Sequence, residues 1–228
     1  EEIKRLLPDS FILFKPKDIV SGDFYWITEN KGKTLYMTAD CTGHGVPGAF
    51  MSMIGNTLLN EIEDVMEITS PARILDRLHE GVRGALKQDQ LDAETRDGMD
   101  IALCSLNWKE NRVKFAGAYR PLYQVRNGSI TEIKGNKFPI GGSRNQHFIE
   151  HEIETRPGDS IYLFSDGYFD QFGGSQGKKF MAKRFQEMLL RICSLNMKDQ
   201  EKIIGSEILE WKGDLEQIDD ILVIGIRL

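Results

Sequence analysis

Residues 35–59 read LYMTADCTGHGVPGAFMSMIGNTLL, in which an apolar run passes through a turn with three glycines into a helical pattern. Apolar side chains recur at the spacing of one helix face over residues 49–65, at Phe50, Met53, Ile54, Thr57, Leu58 and Ile62. A second helix follows at once, with Ser70 as its N-cap and Pro71 at its first position. Two consecutive helices after strands exclude a simple repetition of βαβ units in this part of the chain.

On both sides of this stretch the sequence groups strands with strands and helices with helices. Asn127-Gly128 is the strongest hairpin signal. Two later helices are predicted over residues 178–193 and 198–211. Strands are predicted over residues 11–14, 24–28, 35–39, 101–108, 113–118, 122–126, 130–134, 148–153, 161–164 and 221–226. This grouping indicates an antiparallel α+β layered fold.

Composition narrows the class of protein. The chain has 228 residues, 40% of them hydrophobic, and a formal net charge of -6, which argues against a nucleic-acid partner. Its three cysteines, Cys41, Cys104 and Cys193, are far apart and form no CxxC pair, so we expect reduced thiols. No apolar run approaches the ~20 residues of a membrane span. We expect a soluble cytoplasmic domain without direct membrane insertion, in a parent protein that could itself be membrane-tethered.

The first eight residues differ from the rest of the chain. EEIKRLL is a short helix-like segment that ends at Pro8, and it follows no initiating Met. We interpret residues 1–8 as the end of a linker helix from a longer protein, and residues 9–228 as one domain.

Four aspartates stand at strand ends or in tight loops, where a packed core does not call for charge. They are Asp23 in SGDFYW, Asp40 in TADCTGHG, Asp166 in FSDGYFDQ and Asp219 in IDDILVIGI. Buried carboxylates repel one another unless cations or protons neutralise them, so convergence of the four would indicate hard metal ions, Mg²⁺ or Mn²⁺. Each aspartate taken singly also fits an ordinary turn or helix cap. Of the neighbours Asp219 and Asp220, we prefer Asp219 as the ligand.

Asp40 stands out because of the turn that follows it. Gly43, Gly45 and Gly48 would let backbone carbonyls approach a cation closely, which bulkier residues would obstruct. The same glycines satisfy GxGxxG after a strand, so a dinucleotide-binding oxidoreductase domain is an alternative. The carboxylate of Asp40 beside the pyrophosphate, and the lack of βαβ alternation, oppose that alternative.

Six motifs occur in a fixed order from Pro16 to Leu228: PKDIVSGDFYW, ADCTGHGVPGAFMSMIGNTLL, DGMDIALC, AGAYRPLY, FSDGYFDQFGG and DDILVIGIRL. The ordered set resembles the SpoIIE-like branch of the PPM (type 2C) protein phosphatases. That resemblance implies an α/β/β/α sandwich, with two mainly antiparallel sheets flanked by helix pairs and two metals at one edge of the sheets.

The resemblance also implies roles for single residues. Asp40 would bridge two Mn²⁺ or Mg²⁺ ions, the backbone carbonyl of Cys41 would complete one site, and Asp23 would serve the same cluster. Asp166 and Asp219 would hold the other ion. An acidic residue of DGMD, Asp97 or Asp100, would take part in a weaker third metal site.

Two cations ~4 Å apart lower the pKa of a shared water and bind phosphoryl oxygens for in-line attack. His44 could donate a proton to the departing oxygen or only hydrogen-bond a metal ligand. Lys15 and Lys17 are the nearest candidates for holding the phosphate, although edge-strand lysines more often prevent association of sheets.

The resemblance implies hydrolysis of phosphoserine or phosphothreonine on a regulatory protein, such as an anti-sigma factor antagonist. We hypothesise that the upstream region controls activity by forming a homodimer through the linker helix. A noncatalytic binding module with the same fold is the main alternative.

Overall fold

The computed structural model describes residues 1–66, 68–88, 96–142 and 146–228. Six helices in the described residues are α1 (Glu2–Leu6), α2 (Gly45–Met66), α3 (Pro71–Ala85), α4 (Gly167–Asp170), α5 (Ala182–Ile192) and α6 (Met197–Lys212). Twelve strands are β1 (Ser10–Lys15), β2 (Phe24–Asn30), β3 (Lys33–Cys41), β4 (Met99–Asn107), β5 (Arg112–Ala118), β6 (Leu122–Arg126), β7 (Ser129–Ile133), β8 (His151–Glu154), β9 (Ser160–Phe164), β10 (Phe172–Gly173), β11 (Lys178–Lys179) and β12 (Ile221–Arg227).

Two five-stranded antiparallel sheets form the centre of the molecule. The first has the order β1-β12-β9-β6-β7, and the second has the order β2-β3-β4-β5-β8. Every pairing between named strands in the described residues is antiparallel. The predicted α+β fold is confirmed, and the doubly wound sheet of a dinucleotide-binding domain is not formed.

Three apolar clusters hold four layers together. The alternation of side chains along β3 sends Tyr36 between the sheets, while Leu35 and Met37 face α2 and α3. Tyr162 and Phe164 of β9 face α5 and α6 on the other side. The layers are therefore helix pair, sheet, sheet and helix pair, as the resemblance implied.

The prediction for the segment after β9 was partly wrong. A helix was expected over residues 178–193, but Lys178–Lys179 pair with Phe172–Gly173 in a small hairpin, and α5 begins only at Ala182. Gly177 and Met181 have positive φ angles of 58° and 73°, which a helix cannot accommodate. The short helix α4 was not predicted.

The N-terminal segment is helical as expected. Leu6 and Leu7, which end it, are buried in the cluster between the sheets, and the Trp108 indole donates to the Leu6 carbonyl. Residues 1–8 thus pack onto the domain, and their assignment to a linker stays a prediction. None of the helices in the described ranges is long and apolar enough to cross a membrane.

Candidate metal centre and catalytic cleft

Strand register brings three of the acidic side chains into one row at an edge of the second sheet. Phe24 of β2 pairs with Ala39 of β3, so Asp23 lies beside Asp40. Asp40 in turn pairs directly with Asp100 of β4. Side chains of directly paired residues project from the same face, which places these carboxylates together at the end of the sandwich.

The first sheet supplies two more aspartates to the same edge. Phe164 of β9 pairs with Val223 of β12, so Asp166 follows one strand where Asp219 precedes the other. Gly167 allows their close approach, because a Cβ there would lie 2.0 Å from the Asp220 carbonyl oxygen.

Four of these five aspartates line a cleft of about 240 Å³, whereas Asp23 is buried and is not part of the described lining. Asp40, Asp100, Asp166, Asp219 and His44 all contribute to its walls. Its lining also includes Cys41, Thr42, Gly43, Arg96, Gly98, Met99 and Pro139. The cleft therefore combines at least four carboxylates with a histidine and the backbone of the glycine turn.

Burial and mutual repulsion make this cluster costly without neutralising charge. Burial raises the pKa of Asp40 to about 7, with repulsion from Asp166, Asp100 and Asp219 adding to the effect and Arg120 opposing it. Burial likewise raises the pKa of Asp100 to about 6 and, with Asp166, raises that of Asp219. Such perturbed groups, meeting in a cleft, are typical of functional sites.

Asp23 is the most perturbed member. Burial, with Asp40 as the next cause, raises its pKa to about 9, and its Oδ2 atom is buried without a hydrogen-bond partner. A buried orphan oxygen is uncommon in folded proteins and needs an explanation. A hard divalent cation such as Mg²⁺ or Mn²⁺ fits, because it prefers oxygen ligands of this kind and offsets the repulsion.

Arg120 is a residue of the site that the sequence analysis missed. Its Nη2 atom lies 2.8 Å from Asp40 Oδ2, 2.6 Å from Asp166 Oδ2 and 3.1 Å from Asp100 Oδ2. Arg120 lies in the motif AGAYRPLY, two residues after the end of β5. That position was the sequence feature that could have indicated its presence at the site. Among the described residues, no group of His, Cys, Asp and Glu side chains is already arranged to hold a metal ion. Three of the carboxylates contact this guanidinium instead.

His44 lies on the wall of the cleft between two charged neighbours. Its Nδ1 is 3.1 Å from Asp18 Oδ2, and its Nε2 is 2.9 Å from Lys17 Nζ. Asp18 favours a proton on Nδ1, which leaves Nε2 to accept from the ammonium. Lys17 thus stands at the cleft, whereas Lys15 lies in β1 opposite Ile221.

The structure also distinguishes Asp219 from Asp220, and Asp100 from Asp97. Asp220 is buried and accepts from the backbone N–H groups of Lys17 and Gly22, so it holds the loop before β2. Asp219 faces the cleft instead, as the sequence analysis preferred. Among the described residues that line the cleft, Asp100 is present and Asp97 is not.

Cys41 contributes to the cleft lining, but its thiol belongs to the apolar cluster beneath α2 and α3 and is unsuited to binding metal. Burial raises the pKa of that thiol well above its ordinary value, with Asp40 and Asp23 adding to the effect. The thiol therefore stays protonated, and the donor that Cys41 could offer a hard cation is its backbone carbonyl, as the resemblance implied.

Comparisons with known proteins agree with this geometry. The family model described as Stage II sporulation protein E (SpoIIE) matches residues 30–228. The solved SiaA-PP2C domain of Pseudomonas aeruginosa is 31% identical and superposes with a TM-score of 0.91, over 100% of this chain and 89% of that one. The PP2C phosphatase domain of SpoIIE from Bacillus subtilis is 17% identical, with a TM-score of 0.77 over 96% of this chain and 63% of that one, and supports the fold.

A curated relative extends the likeness to a longer protein. Phosphoserine phosphatase RsbU of Bacillus subtilis (strain 168) is 24% identical over 220 residues, which are 93% of this chain. The chain spans 61% of the length of that relative.

Proposed function

The chain belongs to the SpoIIE family, and from that premise we propose that it hydrolyses phosphoserine or phosphothreonine on a regulatory protein with the help of two divalent cations. One observation carries the proposal: five aspartates from both sheets meet at one edge of the sandwich, and burial and repulsion raise the pKa values of Asp23, Asp40, Asp100 and Asp219. A fold without metal chemistry gains nothing from that arrangement.

Oxygen donors at the cleft would hold the ions. Asp40 lies between Asp23 and Asp100 in the strand register and would bridge two ions, with the Cys41 carbonyl completing one site. Asp166 and Asp219 come from the other sheet and would hold the second ion. Asp100 is the better candidate for a third site, because Asp97 is absent from the described lining of the cleft. Bound Mn²⁺ or Mg²⁺ would polarise the phosphoryl group and lower the pKa of an attacking water.

Basic residues at the cleft would bind the phosphate and protonate the leaving group. Besides Arg120, which is engaged by the carboxylates, Lys17 and Arg96 bring positive charge to the cleft, and either would attract a phosphorylated side chain. His44 is oriented by Asp18, and once Lys17 turns to the phosphate, the free Nε2 would take up a proton from solvent and pass it to the departing oxygen.

The substrate class follows from the relative of known activity. RsbU is named as a phosphoserine phosphatase, and we propose a phosphorylated regulatory protein, such as an anti-sigma factor antagonist, as the substrate of this chain. We further propose that a homodimer formed through an upstream linker helix regulates the domain, and that the domain works in the cytoplasm. If adding the native upstream region changed neither oligomeric state nor turnover, the regulatory part would be wrong.

Hydrolysis assays test the proposal directly. The chain, stripped with EDTA and supplied with MnCl₂, is expected to hydrolyse p-nitrophenyl phosphate and a phosphoserine peptide, and EDTA is expected to abolish both activities. A folded chain that binds Mn²⁺ without hydrolysing either substrate would favour the noncatalytic alternative. Titration with NAD(P) is expected to show no binding, since the strands of the described residues do not form the required parallel sheet.

A further inference from the structure

The backbone around Arg120 is built to aim its side chain. Tyr119, just before it, has a positive φ of 58°, a conformation that costs a bulky residue free energy. The N–H of Arg120 donates to the Ala118 carbonyl at 2.6 Å. Its own carbonyl oxygen packs so closely on Gly117 and Gly135 that a Cβ at either would lie within 2.7 Å of it. The chain therefore accepts strain at the end of β5 to fix this one residue.

The guanidinium contacts its three carboxylate partners through one atom, as a single metal ion would. A single nitrogen, Nη2, approaches all three carboxylates, of Asp40, Asp100 and Asp166. The Nε atom is buried without a partner, and only 13% of the side chain is exposed. Arginines in structural ion pairs commonly place two nitrogens on one carboxylate, as Arg126 does on Asp159 with Nε and Nη2.

We propose that Arg120 is a built-in counter-ion that occupies the cation position among Asp40, Asp100 and Asp166, and that it must leave this position before a divalent cation binds there. The inference rests on the proposed function, because it concerns regulation of the same site. Two like charges cannot share one set of ligand oxygens at close range without strong repulsion. The apparent cation affinity is then reduced by the fraction of molecules in which the guanidinium still holds the cluster.

Arg120 is therefore a positioning residue, and it sets the metal concentration at which the site fills. It keeps the carboxylates together while no cation is bound, and it delays loading until a change nearby draws the guanidinium away. The strained turn at Tyr119 is where such a change would act, because it fixes the direction of the side chain. The same contact that stabilises the cluster therefore opposes its metal binding.

The test measures Mn²⁺ affinity by calorimetry on EDTA-treated protein, together with thermal stability. Arg120→Met keeps most of the side-chain volume and removes the charge. We expect its apparent Kd for Mn²⁺ to fall by about tenfold or more, while the metal-free melting temperature falls and the Mn²⁺-induced rise in melting temperature grows. Arg126→Met is the matched control, since it also breaks an Arg-Asp pair and is expected to leave the Kd unchanged.

Arg120→Lys guards against failure of the methionine variant to fold. The lysine ammonium, on a shorter side chain, is a weaker internal counter-ion than the guanidinium. The Kd of Arg120→Lys for Mn²⁺ is therefore expected to lie between the Kd values of the native chain and Arg120→Met. Equal or weaker Mn²⁺ binding in the folded Arg120 variants, or no binding in any variant, would overturn the inference. If the native chain binds Mn²⁺ but hydrolyses no phosphoester, the proposed function fails, and the order of the Kd values still decides this inference.

Discussion

Strands β6 and β9 are paired, and their two ends carry opposite electrostatic arrangements. At one end, Asp159 accepts hydrogen bonds from Arg126, from Gln124 and from the backbone of Arg156. Burial opposes ionisation there, but these donors, led by Arg126, lower its pKa below the ordinary value. At the other end, one Arg120 faces three carboxylates, and the pKa of Asp40 is raised to about 7.

The contrast separates charge that stabilises the fold from charge that is kept for chemistry. Asp159 has enough donors to remain ionised, so the charges at its end of the β6–β9 pair are balanced within the chain. Asp40, Asp100 and Asp166 together have too few, and the excess negative charge is available to a ligand from outside. Sites of this second kind usually reduce stability in exchange for function.

The largest expected effect comes from replacing Asp40. We expect Asp40→Asn to lower Mn²⁺-dependent turnover of p-nitrophenyl phosphate by at least about 10²-fold, because a charge placed to bridge two ions is lost. Its metal-free melting temperature should stay the same or rise, since one of the repelling carboxylates is gone. Normal activity in this variant would remove Asp40 from the mechanism.

The same substitution at the other end of the β6–β9 pair should have the reverse effect. Asp159→Asn removes the acceptor of the Arg126 fork and should lower the melting temperature by about 5 °C. Turnover at saturating Mn²⁺, measured well below that temperature, should be unchanged. Loss of activity without loss of stability would show that the two ends are not separated in this way.

A smaller effect is expected from the ligands of the other ion. Asp166→Asn and Asp219→Asn should each raise the Mn²⁺ concentration for half-maximal rate by about tenfold, because a neutral amide binds a hard cation more weakly than a carboxylate. Asp170→Asn, in α4 and paired with Lys179 away from the cleft, is the matched control and should leave that concentration unchanged. An unaltered metal requirement in the first two variants would contradict their assignment.

The layered fold could be predicted because local signals agreed with one another. Period-two burial, the Asn127-Gly128 turn and the Ser70 cap each predicted an element that the structure contains. The β10–β11 hairpin could not be predicted in this way, since Lys178 and Lys179 resemble a basic helix start. Its conformation depends on positive φ angles at Gly177 and Met181 that no periodicity shows.

The site was predicted less completely than the fold. Four aspartates were found because each stands at a strand end or in a tight loop, and register then explains their convergence. Arg120 was missed because its motif, AGAYRPLY, does not by itself indicate which groups the arginine contacts. Its role depends on pairing between β3, β4 and β5, which brings together residues 40, 100 and 120.

The smallest predicted effect concerns pH and would sharpen the contrast between the two ends. Asp100, Asp40 and Asp23 have folded-state pKa values of about 6, 7 and 9, above their ordinary value of 3.8. Between these limits the folded state binds more protons than the unfolded state, so the free energy of unfolding falls as pH rises. We expect the melting temperature of EDTA-treated protein to fall as the pH rises from about 5 to about 9.

Two variants decide whether the acidic edge causes that slope. Asp23→Asn should flatten it most, because Asp23 has the highest pKa of the cluster. Asp159→Asn should leave it unchanged, since a lowered pKa contributes stability that is lost only as pH falls below the ordinary value. Saturating Mn²⁺ should reverse the slope, because cation binding favours the ionised carboxylates that high pH supplies. A slope that is as steep in Asp23→Asn, Asp40→Asn and Asp100→Asn as in the native chain would place its origin outside the acidic edge.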